Sequence, residues 1–183
     1  MTANARIFPA ILIAGAVAAA PVSAQSRHIS LEGRLGVAIP VSDLSDGGAQ
    51  AGMMVEGEVM YTPSLNVSLF AGVGMHSFNC EGDNCDEFSS RGLHGGVKYL
   101  FGQSGTATPW VRGGLMLHEA ESGAADTGFA LGFEAGGGID LALTPRFSLT
   151  PALRYHRYEA DFETSTVDMS WVSLALGAHF HFF

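Results

Sequence analysis

Long apolar runs, basic side chains and cysteine are all scarce in this 183-residue chain. After residue 24 no uninterrupted apolar run is long enough for a transmembrane helix, so any contact with lipid would have to be made by strands. Nine Lys and Arg stand against 18 Asp and Glu, for a formal net charge of −9. Such an acidic chain is a poor binder of nucleic acid, and we expect no nucleic-acid partner.

The only two cysteines, Cys80 and Cys85, are separated by EGDN. In an exported chain an even number of cysteines favours a disulfide, here a clamp within one loop. The alternative is half of a metal site, but no second Cys or His pair lies nearby in the sequence. We therefore predict a disulfide between Cys80 and Cys85.

The first 24 residues have the composition of a signal peptide. Arg6 supplies the positive charge, residues 7–20 an apolar core, and Val22-Ser23-Ala24 a small-residue cleavage pattern. A membrane anchor is the alternative, but the apolar run is short and a cleavage pattern follows at once. We expect residues 1–24 to be cleaved, which leaves an exported domain at 25–183 and, without Arg6, a formal net charge of −10.

The rest of the chain alternates between apolar and other side chains with a period of two. This is typical of strands whose two faces meet different surroundings. In the first segment, for example, Leu35 and Val37 stand against Glu32 and Arg34. The alternating segments are eight, at 27–41, 49–61, 67–75, 93–101, 111–118, 129–143, 147–156 and 171–183.

Charged side chains within these segments fall on one face only, opposite the apolar residues. The consistency of this placement supports two-faced strands beyond what hydropathy alone indicates. The nine residues are Glu32, Arg34, Glu56, Glu58, Lys98, Arg112, Glu134, Asp140 and Arg154.

The charged face is also rich in glycine, as at Gly72, Gly74 and Gly136, whereas the other face is bulky. A soluble sandwich or lipocalin would turn the bulky face inward and carry many exterior charges. Small and charged residues together suit a narrow interior filled by ion pairs, and bulky aliphatics suit a lipid-facing exterior. We therefore predict an all-β fold, an eight-stranded antiparallel up-and-down transmembrane β-barrel.

The connections between the segments fall into two classes. Three contain Thr-Pro, at 61–66, 101–110 and 143–147, and the other four are longer and acidic. This layout places the Thr-Pro turns and both termini on the periplasmic side. Aromatic residues near the segment ends predict interfacial girdles. They are Tyr61, Tyr99, Phe101, Trp110, Phe147 and the closing phenylalanines at one interface, and Phe78, Phe88, Phe129 and Tyr155 at the other.

The eight segments, the stretch GGGIDLALTPRFSLTPALRYHRY at 136–158 and the terminal Phe183 resemble the small outer-membrane β-barrel family. That family includes the OmpA transmembrane domain, OmpX, Ail and the opacity proteins. The resemblance covers 25–183 and implies a monomer in the outer membrane of a Gram-negative type envelope, in contact with lipid and lipopolysaccharide. It also implies recognition by the barrel assembly machinery, which reads a final aromatic residue in phase with the lipid-facing ones. Phe180 and Phe182 are in phase, and Phe183 is one step out.

The interior set contains five acids and four bases, and this near balance predicts an ion-pair network that closes the lumen. A through-pore for ions or small solutes is the alternative, but eight strands leave little bore. We expect a structural or surface-interaction role, adhesin-like or porin-like, with a narrow channel or transporter as the second interpretation.

Four histidines, His76, His94, His118 and His156, share the interior face with Glu134. Counting from the Thr-Pro ends places them at similar heights, as a partial ring below the outer mouth. Imidazoles with a carboxylate would suit Zn, Cu or Ni. Polar packing is the simpler interpretation, because the heights are inferred and no short ligand motif is present. No other cofactor is indicated.

A lipid-modifying enzyme is the third interpretation, since lipid A deacylases in barrels of this size use a His-x-Ser pair with a carboxylate on the lipid-facing side. Here the only His-x-Ser, His28 to Ser30, begins the first segment, and the segment histidines face inward. We therefore expect no enzymatic activity.

The acidic connections are either plain solvated surface or a site that recruits divalent cations or a basic partner. Arg91 and Arg157 near the rim could reach lipopolysaccharide phosphates. The 13 acids are Asp43, Asp46, Glu81, Asp83, Asp86, Glu87, Glu119, Glu121, Asp126, Glu159, Asp161, Glu163 and Asp168.

Overall fold

Eight long strands make up most of the part of the chain that the structure describes. The computed structural model describes residues 29–46, 48–80, 88–102, 106–122, 125–162 and 165–182. The predicted signal peptide, Cys85 and Phe183 lie outside these residues. The long strands are β1 (Ile29–Val41), β3 (Gly52–Ser64), β4 (Val67–Cys80), β5 (Phe88–Leu100), β6 (Ala107–Ser122), β8 (Ala130–Thr144), β9 (Phe147–Phe162) and β10 (Ser165–His181). Two-residue strands, β2 (Ala49–Gln50) and β7 (Ala125–Asp126), and a one-turn helix, α1 (Asp43–Asp46), complete the fold.

Antiparallel pairing runs around the whole molecule and closes it. Each long strand pairs with the next along the chain, and β10 returns to β1 in a ladder from Ser30↔His181 to Val41↔Ser170. Because closure removes both sheet edges, the backbone groups of the first and last strands are satisfied. The predicted eight-stranded antiparallel barrel is confirmed. Among the described residues, no helix is long and apolar enough to cross a membrane.

The two faces of the strands have the predicted orientation. Arg34 is 1% exposed and lies inside, while the next residue, Leu35, is 62% exposed on the outside. On β10 the inward Ser173 is fully buried and the outward Leu174 is 59% exposed. A slip of one residue in register would reverse every such pair, so the alternation sets the register of the barrel.

The barrel has two different ends. The turn end carries the connections at 65–66, 101–106 and 145–146 and both ends of the described chain, where the Phe182 amide donates to the Ile29 carbonyl at 3.1 Å. The loop end carries α1 and the other three connections. There α1 lies over the barrel mouth, because its Leu44 is 6% exposed and packs into the interior apolar cluster.

The last acidic connection is shorter than predicted. Residues 159–162 and 165–168 form strand extensions of β9 and β10 rather than a loop, and Phe162 pairs with Ser165. The cause is that the inward alternation continues above the predicted strand ends, with Tyr158, Ala160 and Met169 all buried. The acids Glu159 and Asp168 therefore belong to a hairpin that projects from the barrel.

Inward glycines are needed because neighbouring strands and side chains approach closely. A Cβ on Gly92 would lie 2.1 Å from the Leu117 carbonyl oxygen, and one on Gly136 would lie 2.4 Å from Cγ of Arg154. A Cβ on the outward Gly33 would meet nothing within 4 Å. The small residues of the charged face thus make room for its long ones.

Candidate functional site in the barrel interior

Six interior side chains form a closed ring of alternating charge, here called the Arg–Glu ring. They come from five strands, and their side chains are at most 1% exposed. In order around the ring the shortest N–O distances are 2.5 Å for Arg34–Glu58, 2.7 Å for Glu58–Arg112, 2.5 Å for Arg112–Glu134, 3.6 Å for Glu134–Arg154, 2.5 Å for Arg154–Glu56 and 3.7 Å for Glu56–Arg34.

The ring crosses the bore of the barrel. Glu58 on β3 meets Arg112 on β6, three strands further around the wall, through donation from both terminal nitrogens of Arg112 at 2.7 and 3.1 Å. Glu32 is attached to the ring because its Oε1 accepts from Nε of Arg34 at 2.6 Å. Buried ions are tolerated only when paired, and here every guanidinium lies between two carboxylates.

Lys98 and Asp140 form a separate pair nearer the turn end. Nζ of Lys98 donates to both Asp140 oxygens at 2.9 and 3.0 Å, and the Thr150 hydroxyl donates to the same carboxylate at 3.1 Å. Trp110 lies beneath the ammonium, with its ring centroid 4.5 Å from Nζ. The structure thus places all nine predicted charged residues inside the barrel, seven in the ring and its attachment and two in this pair.

A cavity with a mixed polar and apolar lining opens at the turn end. Its volume is about 620 Å³, and its lining includes Lys98, Asp140, Ser148 and His179. Nε2 of His179 lies 2.7 Å from Oγ of Ser30. The cavity is the part of the interior that solvent can enter from this end.

Three of the predicted histidines gather around Trp171 on the loop side of the ring. The Trp171 ring stacks on His156 at 4.9 Å with an interplanar angle of 5°, and lies 4.9 Å from His76 and 6.2 Å from His118. His94 lies apart from these rings, since its Nε2 is 2.9 Å from Oε1 of Glu58. The predicted partial ring of histidines is therefore divided between two places.

Carboxylates approach two of the gathered histidines. Nε2 of His76 is 3.3 Å from Oε1 of Glu56, and Nδ1 of His156 is 3.8 Å from Oε2 of Glu134. One ligand atom each of Glu56, His76 and His156 lie within 4.8 Å of one another, and the same holds for Glu56, Glu58 and His94. The structure thus brings Glu56 and Glu58 close to the histidines, whereas the predicted metal-ligand set contained Glu134 as its only carboxylate.

Interior aromatic and methionine side chains were not predicted. Phe70 lies under the Arg112 guanidinium, with its ring centroid 3.6 Å from Cζ. The placement of Phe78, Phe88 and Trp110 in the lipid-facing girdles is wrong. Phe78 and Trp110 are 1% and 2% exposed inside the barrel, and the partly buried Phe88 packs against the interior cluster. Their sequence parity, which matches that of the charged residues, is the signal that could have found them. Above the ring, an aromatic cap closes the interior and consists of Leu44, Met54, Phe78, Met116, Tyr158, Met169 and Trp171.

The two rim arginines face outward near the loop end and are paired with acids. Nε of Arg91 donates to Oε1 of Glu119 at 2.6 Å, and its Nη2 contacts Glu121. Nη2 of Arg157 lies 2.6 Å from Asp168. Cys80 ends β4 and is disulfide-bonded, but the predicted partner Cys85 lies outside the described residues.

Comparison with known proteins identifies the fold. No protein-family model matches the chain, and no curated protein matches it. Neisserial surface protein A is similar, with a TM-score of 0.71 and 15% identity over 86% of this chain and 98% of that one. The outer membrane protein OprG of Pseudomonas aeruginosa is similar with a TM-score of 0.63 and 12% identity, over 84% of this chain and 96% of that one. The N-terminal β-barrel domain of OprF from the same organism is similar with a TM-score of 0.55 and 17% identity, over 86% of this chain and 100% of that one. The likeness shows that this chain has the fold of small outer-membrane barrels.

Proposed function

We propose that this protein is a monomeric, integral β-barrel of the outer membrane with a closed lumen and a structural or surface-interaction role. Export through the signal peptide, recognition by the barrel assembly machinery and contact with lipopolysaccharide belong to the same proposal. The exposed outer face supports it, because outward residues such as Leu35, Leu115 and Leu131 are 62 to 68% exposed. An apolar belt of this extent is stable in lipid and would aggregate in water.

The observation that carries the closed lumen is the Arg–Glu ring. Its six side chains neutralise one another across the bore, and the aromatic cap lies above them. An ion that entered from the turn-end cavity would have to separate buried pairs at 2.5–2.7 Å. The acidic hairpin of β9 and β10 at the loop end supports a role in surface interaction, with divalent cations or a basic partner as ligands.

Membrane embedding predicts a specific stability pattern. Leu35→Arg, at the middle of β1, is expected to lower the free energy of unfolding in lipid vesicles by about 2–4 kcal/mol, because the charge would enter the bilayer centre. Leu65→Arg is the matched control, since Leu65 lies in a turn and is 73% exposed, and about 0–1 kcal/mol is expected there. Urea titrations of the refolded proteins measure both. Equal small effects would place the outer face in water.

Conductance measurements in planar lipid bilayers test whether the lumen is closed. The wild-type protein is expected to insert without conductance steps, because the ring and the cap both close the bore. A porin of larger bore serves as the positive control for insertion and recording. Regular single-channel steps from the wild type would support the narrow channel instead, with the turn-end cavity as its vestibule.

A lipid-modifying role is the least supported interpretation. Ser30, the serine of the His-x-Ser pair, is 5% exposed and points into the lumen, where it contacts His179, while His28 lies outside the described residues. An acyl ester in the surrounding lipid cannot reach a hydroxyl inside the barrel. Mass spectrometry of lipid A from expressing cells tests this directly, and a lost or altered acyl chain would reverse the assignment.

A further inference from the structure

We infer that Glu56, His76 and His156 form a transition-metal site inside the barrel, on the loop side of the Arg–Glu ring. Their ligand atoms lie within 4.8 Å of one another, and all three residues are buried. Two ligands of a tetrahedral ion lie about 3.3–3.6 Å apart when each bond is 2.0–2.2 Å long. Side-chain rotations that shorten the separations by up to about 1 Å therefore bring all three to a common ion.

The second observation that supports the site is that several buried nitrogen and oxygen atoms around it lack hydrogen-bond partners. Oε1 of Glu56, both ring nitrogens of His76 and Oε2 of Glu134 have no hydrogen-bond partner among the described residues. His76 is 1% exposed, so its nitrogens cannot be satisfied by bulk water. Buried polar atoms are normally paired, and lone pairs that converge without partners are what an ion would use.

The surroundings hold the proposed ligands in position. Nε2 of His156 is 3.0 Å from Oγ of Ser173, which leaves Nδ1, the nitrogen facing Glu134, for the ion. Oε2 of Glu56 accepts from Arg154 at 2.5 Å, which leaves Oε1, 3.3 Å from Nε2 of His76, to face the ion. Hydrogen bonds of this kind orient metal ligands and set their tautomers.

The ligand set selects the class of metal. Two imidazoles and one carboxylate suit Zn²⁺, Ni²⁺ or Cu²⁺, whereas Mg²⁺ and Ca²⁺ prefer oxygen ligands alone. The charge of the lumen is compatible with a cation, because its five carboxylates exceed its four Lys and Arg side chains. Arg154 lies beside the site and will weaken affinity without blocking it.

The test uses the full mature barrel, without a histidine tag, refolded in detergent with Zn²⁺ or with Mg²⁺ as the reference ion. The wild type is expected to retain one equivalent of Zn²⁺ after dialysis and to unfold at a higher temperature than with Mg²⁺. His76→Phe and His156→Phe keep a ring against Trp171 but remove a ligand, and binding at least about tenfold weaker is expected for each. His179→Phe is the matched control, an interior histidine at the turn end, and should bind as the wild type does.

Several results would overturn the proposal. These are no Zn²⁺ retention by the wild type, unchanged retention in both ligand variants, or loss of retention in His94→Phe alone, which would assign the ion to the Glu56, Glu58 and His94 group. If the ligand variants do not refold, the Co²⁺ spectrum of the wild type decides. Intense visible bands of a four-coordinate nitrogen and oxygen site support the proposal, and the weak bands of hydrated or surface Co²⁺ contradict it.

Discussion

Glu58→Gln is expected to lower the free energy of unfolding of the barrel by about 3–5 kcal/mol. Glu58 has three close partners, since it lies 2.5 Å from Arg34, 2.7 Å from Arg112 and 2.9 Å from His94. A neutral amide of the same shape leaves three guanidiniums in the ring with two carboxylates. Because neither arginine side chain is exposed, water cannot replace the lost charge.

Glu119→Gln is the matched control, because Glu119 also pairs with an arginine, at 2.6 Å, but on the outer surface. The side chains of Arg91 and Glu119 are 48% and 21% exposed, and about 0–1 kcal/mol is expected. Urea titration in vesicles, followed by heat-dependent migration on a gel, measures both variants. If the two losses are equal, the ring does not hold the barrel together.

The double variant Glu58→Gln with Arg112→Met separates charge pairing from shape. Removing the acid and one of its bases restores the balance of the ring, so the double variant is expected to be more stable than the sum of the single losses predicts. Strict additivity would mean that Glu58 and Arg112 contribute independently, in disagreement with their two hydrogen bonds.

The alternation of side chains was sufficient to predict the fold. Leu35 and Arg34 could be assigned to opposite faces from sequence alone, because a strand has a period of two and a barrel has only two environments. Strand ends were harder to place. The acids Glu159 and Asp168 were interpreted as loop residues, although the buried Tyr158 and Met169 beside them continue the inward pattern.

Contacts across the bore could not be predicted in the same way. Parity places Glu58, Arg112 and Lys98 inside, but their pairing depends on strand tilt and stagger, which set the height of each residue. For this reason the prediction missed that Lys98 pairs with Asp140 outside the ring. It also missed that His94 contacts Glu58 and does not lie beside His76. The aromatic residues were assigned by residue type, and parity would have been the better guide.

Trp171→Ala is expected to lower the free energy of unfolding by about 3–5 kcal/mol, through lost burial and the cavity left behind. Trp171 is fully buried and is the centre of the aromatic cap. Its ring stacks on His156 at 4.9 Å and meets the edges of Phe78 at 5.8 Å and Tyr158 at 5.9 Å. Trp171→Phe retains a ring in the same place, so less than about half of that loss is expected. Urea titration measures both.

The same variant shows which layer closes the lumen. Trp171→Ala opens the cap on the loop side but leaves every member of the Arg–Glu ring in place, so the variant is expected to remain without conductance in planar bilayers. Glu58 and Arg112 would still join opposite walls through two hydrogen bonds. Conductance steps in Trp171→Ala, absent from Trp171→Phe, would instead assign closure to the aromatic cap and leave the ring with a role in stability alone.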